Sequence, residues 1–216
     1  SENHEVVRCG MNLNHDNRTE FVQFRRASPR VASTFPGFCG EHDQQIFREI
    51  DVREFEISPR HLALFMYRAT AQEMFKKARN LAVFSSFKEM TDNGKFEIPH
   101  SIKYAQLGTE LGLSDAYKHL VTIRTMIENN DFSSVRYACF KFAQIVPFSY
   151  LAAINFRYFP QYNEFDLLEE SRDEGCTIGV IPQEGGSIFF VVWKRGYERV
   201  LAPILKRFRP ARSALE

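Results

Sequence analysis

The residues best suited to chemistry cluster in residues 33–51, which read STFPGFCGEHDQQIFREID. Cys39 and His42 stand three positions apart there, after a Pro36-Gly37 turn signal and at the start of an amphipathic helical pattern. A turn that leads into a helix lets two such side chains reach one point, and structural zinc sites draw half of their ligands from this kind of spacing. The stretch therefore predicts half of a metal site, with zinc as the expected ion.

The same pair also has a simpler interpretation. Cys often packs as a small hydrophobic residue, and His42 would then only cap the helix or hydrogen-bond locally. Asp43 lies in the first turn of the predicted helix, where a carboxylate interacts well with exposed N–H groups and with the helix dipole. A structural role and a metal-binding role therefore both stay open for this motif.

Two short strand patterns near the N-terminus bear on the missing half of the site. Residues 5–9 and 19–25 carry the branched and aromatic side chains of strands, and together they predict a β-hairpin. The hairpin would bring Cys9 and His15 close to the turn that holds Cys39 and His42. These four residues are the candidate zinc ligands, although a His on an Asn-rich loop is more often a solvated side chain.

Residues 32–51 resemble the signature of a widespread, uncharacterised bacterial family. The shared pattern is Phe-Cys-x-x-His-Asp-x-x-Leu/Ile-Phe-x-x-Ile-Glu/Asp, followed on a long helix by an Arg-Ala pair, here Arg68-Ala69. Most of the chain is similar to this family, including a strand segment at residues 182–190. Longer members carry an upstream segment that is similar to the first half of a treble-clef zinc module. The resemblance implies a treble-clef-like remnant at Cys39, in a degenerate site or in a fragment of a longer protein.

The order of patterns along the chain predicts one compact α+β unit. The expected regions are a hairpin, Cys-His turn and short helix in 1–57, a helical middle in 58–132, an antiparallel sheet with a closing helix in 133–208, and a basic tail in 209–216. Ser58-Pro59 predicts the N-cap and first residue of a long helix that ends near Thr91. Gly112 predicts a break between two further helices, and Asn129-Asn130 predicts the end of the second one.

Four strands are predicted in the C-terminal part. Alternation and enrichment in aromatic and branched residues indicate strands at 135–145, 149–158, 176–182 and 187–194. Gly185-Gly186 predicts the turn between the last two strands. The last strand is apolar almost throughout, which is typical of a central strand covered on both faces.

The amino-acid composition limits the classes of protein to which the chain can belong. A hydrophobic content of 44% and a charged content of 25% describe an ordinary globular chain, and 21 Phe residues predict a closely packed core. The net charge of +1 offers no general attraction for nucleic acid or membrane. Without a long apolar run or a signal-peptide pattern, we expect a cytoplasmic protein that does not enter the membrane and keeps its four scattered cysteines reduced.

Three functions remain as hypotheses. The lack of a complete catalytic set favours a binding or interaction module with a protein partner. The alternative is a metal-dependent nuclease or phosphodiester hydrolase of His-Asn-His-like type, in which His42 and Asp43 are the catalytic candidates. The third hypothesis makes Cys39 a nucleophile with His42 as its base, and the short separation of the two residues counts against it.

Overall fold

The computed structural model describes residues 6–11, 22–28, 37–52, 55–92, 100–155 and 175–207. The chain divides into two compact units, residues 1–38 and residues 39–216. In the first unit, strands β1 (Val6–Met11) and β2 (Val22–Ala27) pair antiparallel, with Val6 opposite Ala27. The strands predicted at 5–9 and 19–25 are therefore present, each displaced by a few residues.

The second unit contains four helices within its described residues. They are α1 (Gly40–Val52), α2 (Pro59–Asp92), α3 (His100–Glu128) and α4 (Glu198–Arg207). The start of α2 follows the prediction, because the Ser58 hydroxyl accepts a hydrogen bond from the His61 N–H at 3.2 Å. Pro59 holds the first helical position, where its missing N–H costs nothing.

The first half of α2 is the centre of the helical layer. Its side chains are buried on nearly every face, which explains why the apolar positions there do not form a single stripe. The buried apolar residues of this half are Leu62, Ala63, Leu64, Met66, Tyr67, Ala69 and Ala71. A helix with so little exposed surface requires neighbours on several sides, and α1, α3 and the sheet all contact it.

Helix α3 differs from the prediction, because it continues without a break through Gly112. Its end does match the expected Asn129-Asn130 stop. Asn130 has a positive φ of 51°, and the Asp131 N–H donates to the Met126 carbonyl at 2.9 Å. This arrangement satisfies the last carbonyls of the helix, and Asn tolerates the left-handed conformation better than most residues.

The four C-terminal strands form one antiparallel sheet in the order β3-β6-β5-β4. Their bounds are β3 (Val135–Phe142), β4 (Tyr150–Asn155), β5 (Gly175–Gln183) and β6 (Gly186–Lys194). The β5–β6 turn contains Gly185 at a φ of 80°, which a residue without a Cβ adopts at no steric cost. Strand β6 is central and almost fully buried, as predicted.

Two cores lie on β6, one on each face of the sheet. Phe190 stacks on Phe55 and contacts Phe65, with ring centroids 5.5 Å apart in both pairs. The neighbouring residues Val191 and Trp193 pack with Leu201 of α4. Because successive strand residues point to opposite faces, β6 joins the helical layer to the closing helix.

The protein is α+β, as the sequence predicted. Helices and an antiparallel sheet both contribute to the second unit. Among the described residues, no helix is long and apolar enough to cross a membrane. The basic tail expected at 209–216 lies outside the described residues.

Candidate functional site

The Cys-x-x-His pair lies at the exposed N-terminus of α1. Cys39 Sγ and His42 Nδ1 are 2.9 Å apart and share a hydrogen bond. Cys39 is the N-cap, because its carbonyl accepts the first helical hydrogen bond from the Asp43 N–H at 2.9 Å. Both Cys39 and His42 are exposed, so a solvent molecule, metal ion or reagent has access to this pair.

Helix geometry explains how residues three positions apart make this contact. With Cys39 at the N-cap, His42 occupies the third helical position. These two positions are close in the first turn, as shown by the capping box, in which each side chain reaches the backbone N–H of the other residue. The short separation, which counts against a nucleophile–base pair in the sequence, is therefore what produces the thiol–imidazole contact.

The acidic and aromatic residues of the motif surround Arg68 of α2. The guanidinium forms a two-pronged pair with Asp51, with Nη1–Oδ1 at 2.6 Å and Nη2–Oδ2 at 2.7 Å. Its Cζ lies 4.2 Å from the centroid of the fully buried Phe47 ring, and Asp43 Oδ1 lies 3.8 Å from Nη2. Because Asp43, Phe47 and Asp51 recur every four residues, they lie on one face of α1, and all three contact Arg68 of α2.

A second polar contact between α1 and α2 centres on Glu49. Arg60 Nε lies 2.8 Å from Glu49 Oε2, and His61 Nε2 lies 3.1 Å from Oε1. The Nδ1 atom of the buried His61 accepts a hydrogen bond from the Glu56 N–H at 3.2 Å. Nε2 must therefore carry the proton that faces Glu49.

The electrostatics of Glu49 follow from these partners. Partial burial alone would raise the pKa of this carboxyl, but the hydrogen bond and charge of Arg60 and the contact with His61 outweigh it. The net effect holds the pKa of Glu49 below its ordinary value of 4.5. Glu49 is thus an ionised residue that holds α1 and α2 together.

The predicted site residues fall into two groups. Cys39 and His42 come together, whereas Asp43 turns its carboxylate toward Arg68. His15 lies outside the described residues, and only the backbone of Cys9 is described, where it pairs with Phe24. Among the described residues, no three His, Cys, Asp or Glu side chains are arranged to hold a metal ion.

The other described cysteines differ from Cys39 in their surroundings. Burial raises the pKa of Cys139 to about 11 and that of Cys176 to about 12. Both thiols are thus almost fully protonated at neutral pH, and only the thiolate is a strong nucleophile. Cys39, exposed beside an imidazole nitrogen, has the surroundings that thiol chemistry or metal binding requires.

Sequence reasoning missed the partners that α2 brings to α1. The sequence places Arg68 only in a pattern similar to that of the bacterial family, and it does not mark Glu49 or His61 as site residues. The four-residue recurrence of Asp43, Phe47 and Asp51 was a usable signal, because it defines one helix face that needs a partner.

Comparisons of the chain with protein-family models, with curated proteins and with solved structures found no match. The chemistry of the Cys39–His42 pair and its surroundings is therefore the basis on which a function can be assigned.

Proposed function

We propose that the protein is a binding module whose Cys39–His42 pair supplies half of a structural zinc site. The observation that carries this proposal is the convergence of a thiol sulfur and an imidazole nitrogen, 2.9 Å apart, at an exposed helix N-terminus. Cys9 and His15 are the candidates for the other two ligands. Thiolate sulfur and imidazole nitrogen are the donors that structural zinc sites use, so the chemistry of the pair fits this ion.

The contacts of the motif support binding over hydrolysis. Asp43 faces Arg68 rather than the Cys39–His42 pair, and Asp51 is held by the same guanidinium. A nuclease of the alternative type needs a base and a metal-bound phosphate at the motif. Because Arg68 binds both carboxylates, Asp43 and Asp51 connect α1 to α2. A zinc ion at Cys39 would hold the turn before α1 in place.

An exposed apolar surface on α3 supports a function in protein interaction. Tyr104, Leu107 and Leu111 lie on one helix face and are 73%, 51% and 51% exposed. Contiguous apolar surface of this kind is typical of interaction sites. We also propose a cytoplasmic location, as expected from a sequence whose four scattered cysteines do not form a disulfide framework.

The zinc proposal is tested by elemental mass spectrometry of the purified chain. We expect about one zinc per chain in the wild type, as for a closed structural site. Cys39→Ser and His42→Ala should lose it, and Cys139→Ser, which changes a cysteine of the sheet, should retain it. Zinc-free wild-type protein that also fails to take up added zinc would refute the proposal.

The nuclease alternative has a separate test. The wild-type protein is incubated with single- and double-stranded DNA and with RNA, in Mg²⁺ or Mn²⁺. We expect no cleavage above that of a His42→Ala preparation purified in the same way. Cleavage that depends on His42 would replace the binding proposal with the hydrolase.

A second candidate function is thiol chemistry at Cys39. It is favoured by the position of His42 Nδ1, which can accept the thiol proton at 2.9 Å, and by the helix N-terminus, which stabilises a thiolate. In metal-free protein, we expect iodoacetamide to label Cys39 far faster than Cys139 or Cys176, as read by peptide mass spectrometry. His42→Ala should slow only the labelling of Cys39. Equal rates at the three cysteines would remove this candidate.

A further inference from the structure

Strand β4 is an edge strand whose outer side has no partner among the described residues. The sheet order places it last, and within that part of the chain only β5 pairs with it. An edge strand presents a row of main-chain N–H and C=O groups that another extended chain can bind. Proteins usually protect such an edge with charged side chains or proline, and β4, which reads YLAAIN, has neither. The opposite edge strand, β3, carries Arg136 and Lys141.

The register of the sheet identifies which main-chain groups of β4 face outward. Because the turn between β5 and β6 has only two residues, Gln183 and Gly186 form a hydrogen-bonded pair. The direction of the main-chain groups alternates along antiparallel strands, and the pairing of β5 with β4 carries this alternation to the edge. Ala152 therefore directs its N–H and C=O to β5, whereas Leu151 and Ala153 direct theirs outward. Within the described residues, no strand or loop forms a main-chain hydrogen bond with these outward groups.

A cavity of about 430 Å³ opens beside this edge, within the second unit. Residues 150 and 152–155 of β4 form one side of it, and α2 and α3 form the others. The α3 residues Gly108, Gly112 and Ala116 line the cavity with small side chains, and a Cβ atom at position 108 would have no neighbour within 4 Å. The volume falls in the range of ligand pockets. An extended segment placed beside β4 would therefore lie in this cavity, next to α3.

The lysines and carboxylates that line the cavity offset one another. Lys76 and Lys77 contribute two positive charges, Glu73 and Asp115 contribute two negative charges, and β4 adds none. Lys77 Nζ already lies 3.2 Å from Glu73 Oε1. A ligand with a net charge would lose hydration here without a net attraction in return. A peptide main chain is neutral and presents donors and acceptors in alternation, so it matches both the balanced lining and the outward groups of β4.

We propose that β4 binds an extended segment of a partner protein that carries no net charge and adds a fifth strand to the sheet, beside α3. In strand addition of this kind, main-chain hydrogen bonds give affinity and side-chain pockets give specificity. A second copy of the chain fits this place less well, because pairing through its own β4 would bring its α2 and α3 into the space that α3 already borders.

This inference deepens the proposed function and rests on its protein partner, but it does not require the zinc ion. Selection of a phage-displayed library of random dodecapeptides on the full chain tests it. We expect enrichment of peptides without net charge and with an apolar core that lacks proline, because proline removes a main-chain donor. In fluorescence anisotropy, a synthetic copy of an enriched peptide with proline placed at its centre should bind at least tenfold more weakly. A selection without enrichment, or equal binding of the proline copy, overturns the proposal.

Variants of the chain locate the binding. Ala153→Pro removes an outward N–H and keeps the hydrogen bonds to β5, so it should weaken peptide binding at least tenfold with little change in melting temperature. Ala152→Pro removes an N–H that β5 uses and should lower the melting temperature. Gly108→Leu should abolish binding by filling the cavity, whereas Lys118→Leu places the same side chain on an exposed part of α3 outside it and should have no effect. Peptide binding that survives both Ala153→Pro and Gly108→Leu overturns the proposal.

Other occupants and the zinc proposal give different results. Binding that Leu107→Ser abolishes and Ala153→Pro leaves intact would locate the partner on the exposed apolar surface of α3 and overturn this inference. A wild-type dimer in light scattering that Ala153→Pro converts to a monomer would assign the edge to a second copy, with the same consequence. Cys39→Ser should bind the enriched peptides as wild type does. Peptide binding by a wild-type protein that takes up no zinc would therefore refute the zinc proposal and support the strand addition.

Discussion

Arg68 is the residue through which the most distinctive motif of the chain acts on the fold. Its guanidinium faces two carboxylates of α1 and covers the buried ring of Phe47. A planar group that pairs on its edge and stacks on its face cannot be replaced by the point charge of Lys. One role of the motif residues in α1 is therefore to bind Arg68.

We expect Arg68→Lys to destabilise the protein by about 1 kcal/mol, because the charge remains while the two-pronged pair and the ring contact are lost. The measurement is the free energy of unfolding in urea. Arg124→Lys is the matched control, since Arg124 pairs with Glu128 on a more exposed surface, at 65% and 57% side-chain exposure. Exposed pairs of that kind contribute roughly 0–1 kcal/mol. Equal effects of the two variants would contradict the role given to Arg68.

The residues of the candidate site could be predicted from the sequence, but the contacts between them could be predicted only in part. Cys39 and His42 were found from their types and spacing alone. The same spacing predicts that the two side chains reach one point, and the short separation counts only against a nucleophile–base pair. The N-cap position of Cys39 removes that objection. Arg68, the partner of Asp43 and Asp51, comes from α2. The sequence indicates only that this face of α1 needs a partner and does not indicate which residue supplies it.

At the scale of elements, the start of α2 depends on one hydroxyl. We expect Ser58→Ala to cost about 1 kcal/mol, because it leaves the His61 N–H without its acceptor. Ser85→Ala is the control, since the Ser85 hydroxyl only donates to the Leu81 carbonyl on the exposed part of the same helix. Thermal melts followed by circular dichroism compare the two. A loss in Ser85→Ala as large as that in Ser58→Ala would contradict this account.

The packing of β5 on β6 depends on Gly179. The Phe190 ring occupies the space that a side chain at position 179 would need. We therefore expect Gly179→Ala to destabilise the protein by roughly 1–3 kcal/mol, because the ring must move within a filled core. Chemical unfolding measures the loss.

Gly108→Ala is the control for that substitution. It places the same methyl group in open space within a helix and should stabilise the protein by up to about 1 kcal/mol. The same sign in both variants would contradict the packing argument.

The ends of helices were predicted correctly where capping residues in the local sequence determine them. They were predicted poorly where a contact with another helix determines them. The Ser58-Pro59 start and the Asn129-Asn130 stop of the helices are set by capping groups that the sequence displays. The predicted break at Gly112 is wrong, because this glycine accommodates Lys77 from another helix rather than ending its own. A glycine signal alone does not distinguish these two uses.

At the scale of the whole molecule, Glu49 connects acid stability to the packing of α1 on α2. Its pKa is lower in the folded protein than its ordinary value, so its contribution is present above that value and is lost as pH falls through the folded-state pKa. We expect the difference in melting temperature between wild type and Glu49→Gln to be largest above the ordinary pKa of 4.5 and to shrink as the pH is lowered below it. A difference that is constant or grows on acidification would contradict this role.

The strand order β3-β6-β5-β4 has a consequence for biosynthesis. The last strand of the sheet to leave the ribosome, β6, is the one on which β3 and β5 both pair. The long helices are synthesised earlier and pair with each other through contacts close in sequence, which form fast. During synthesis, the helices can therefore pack before the sheet is complete. Strand β3 has no partner strand until the last residues of β6 have left the ribosome.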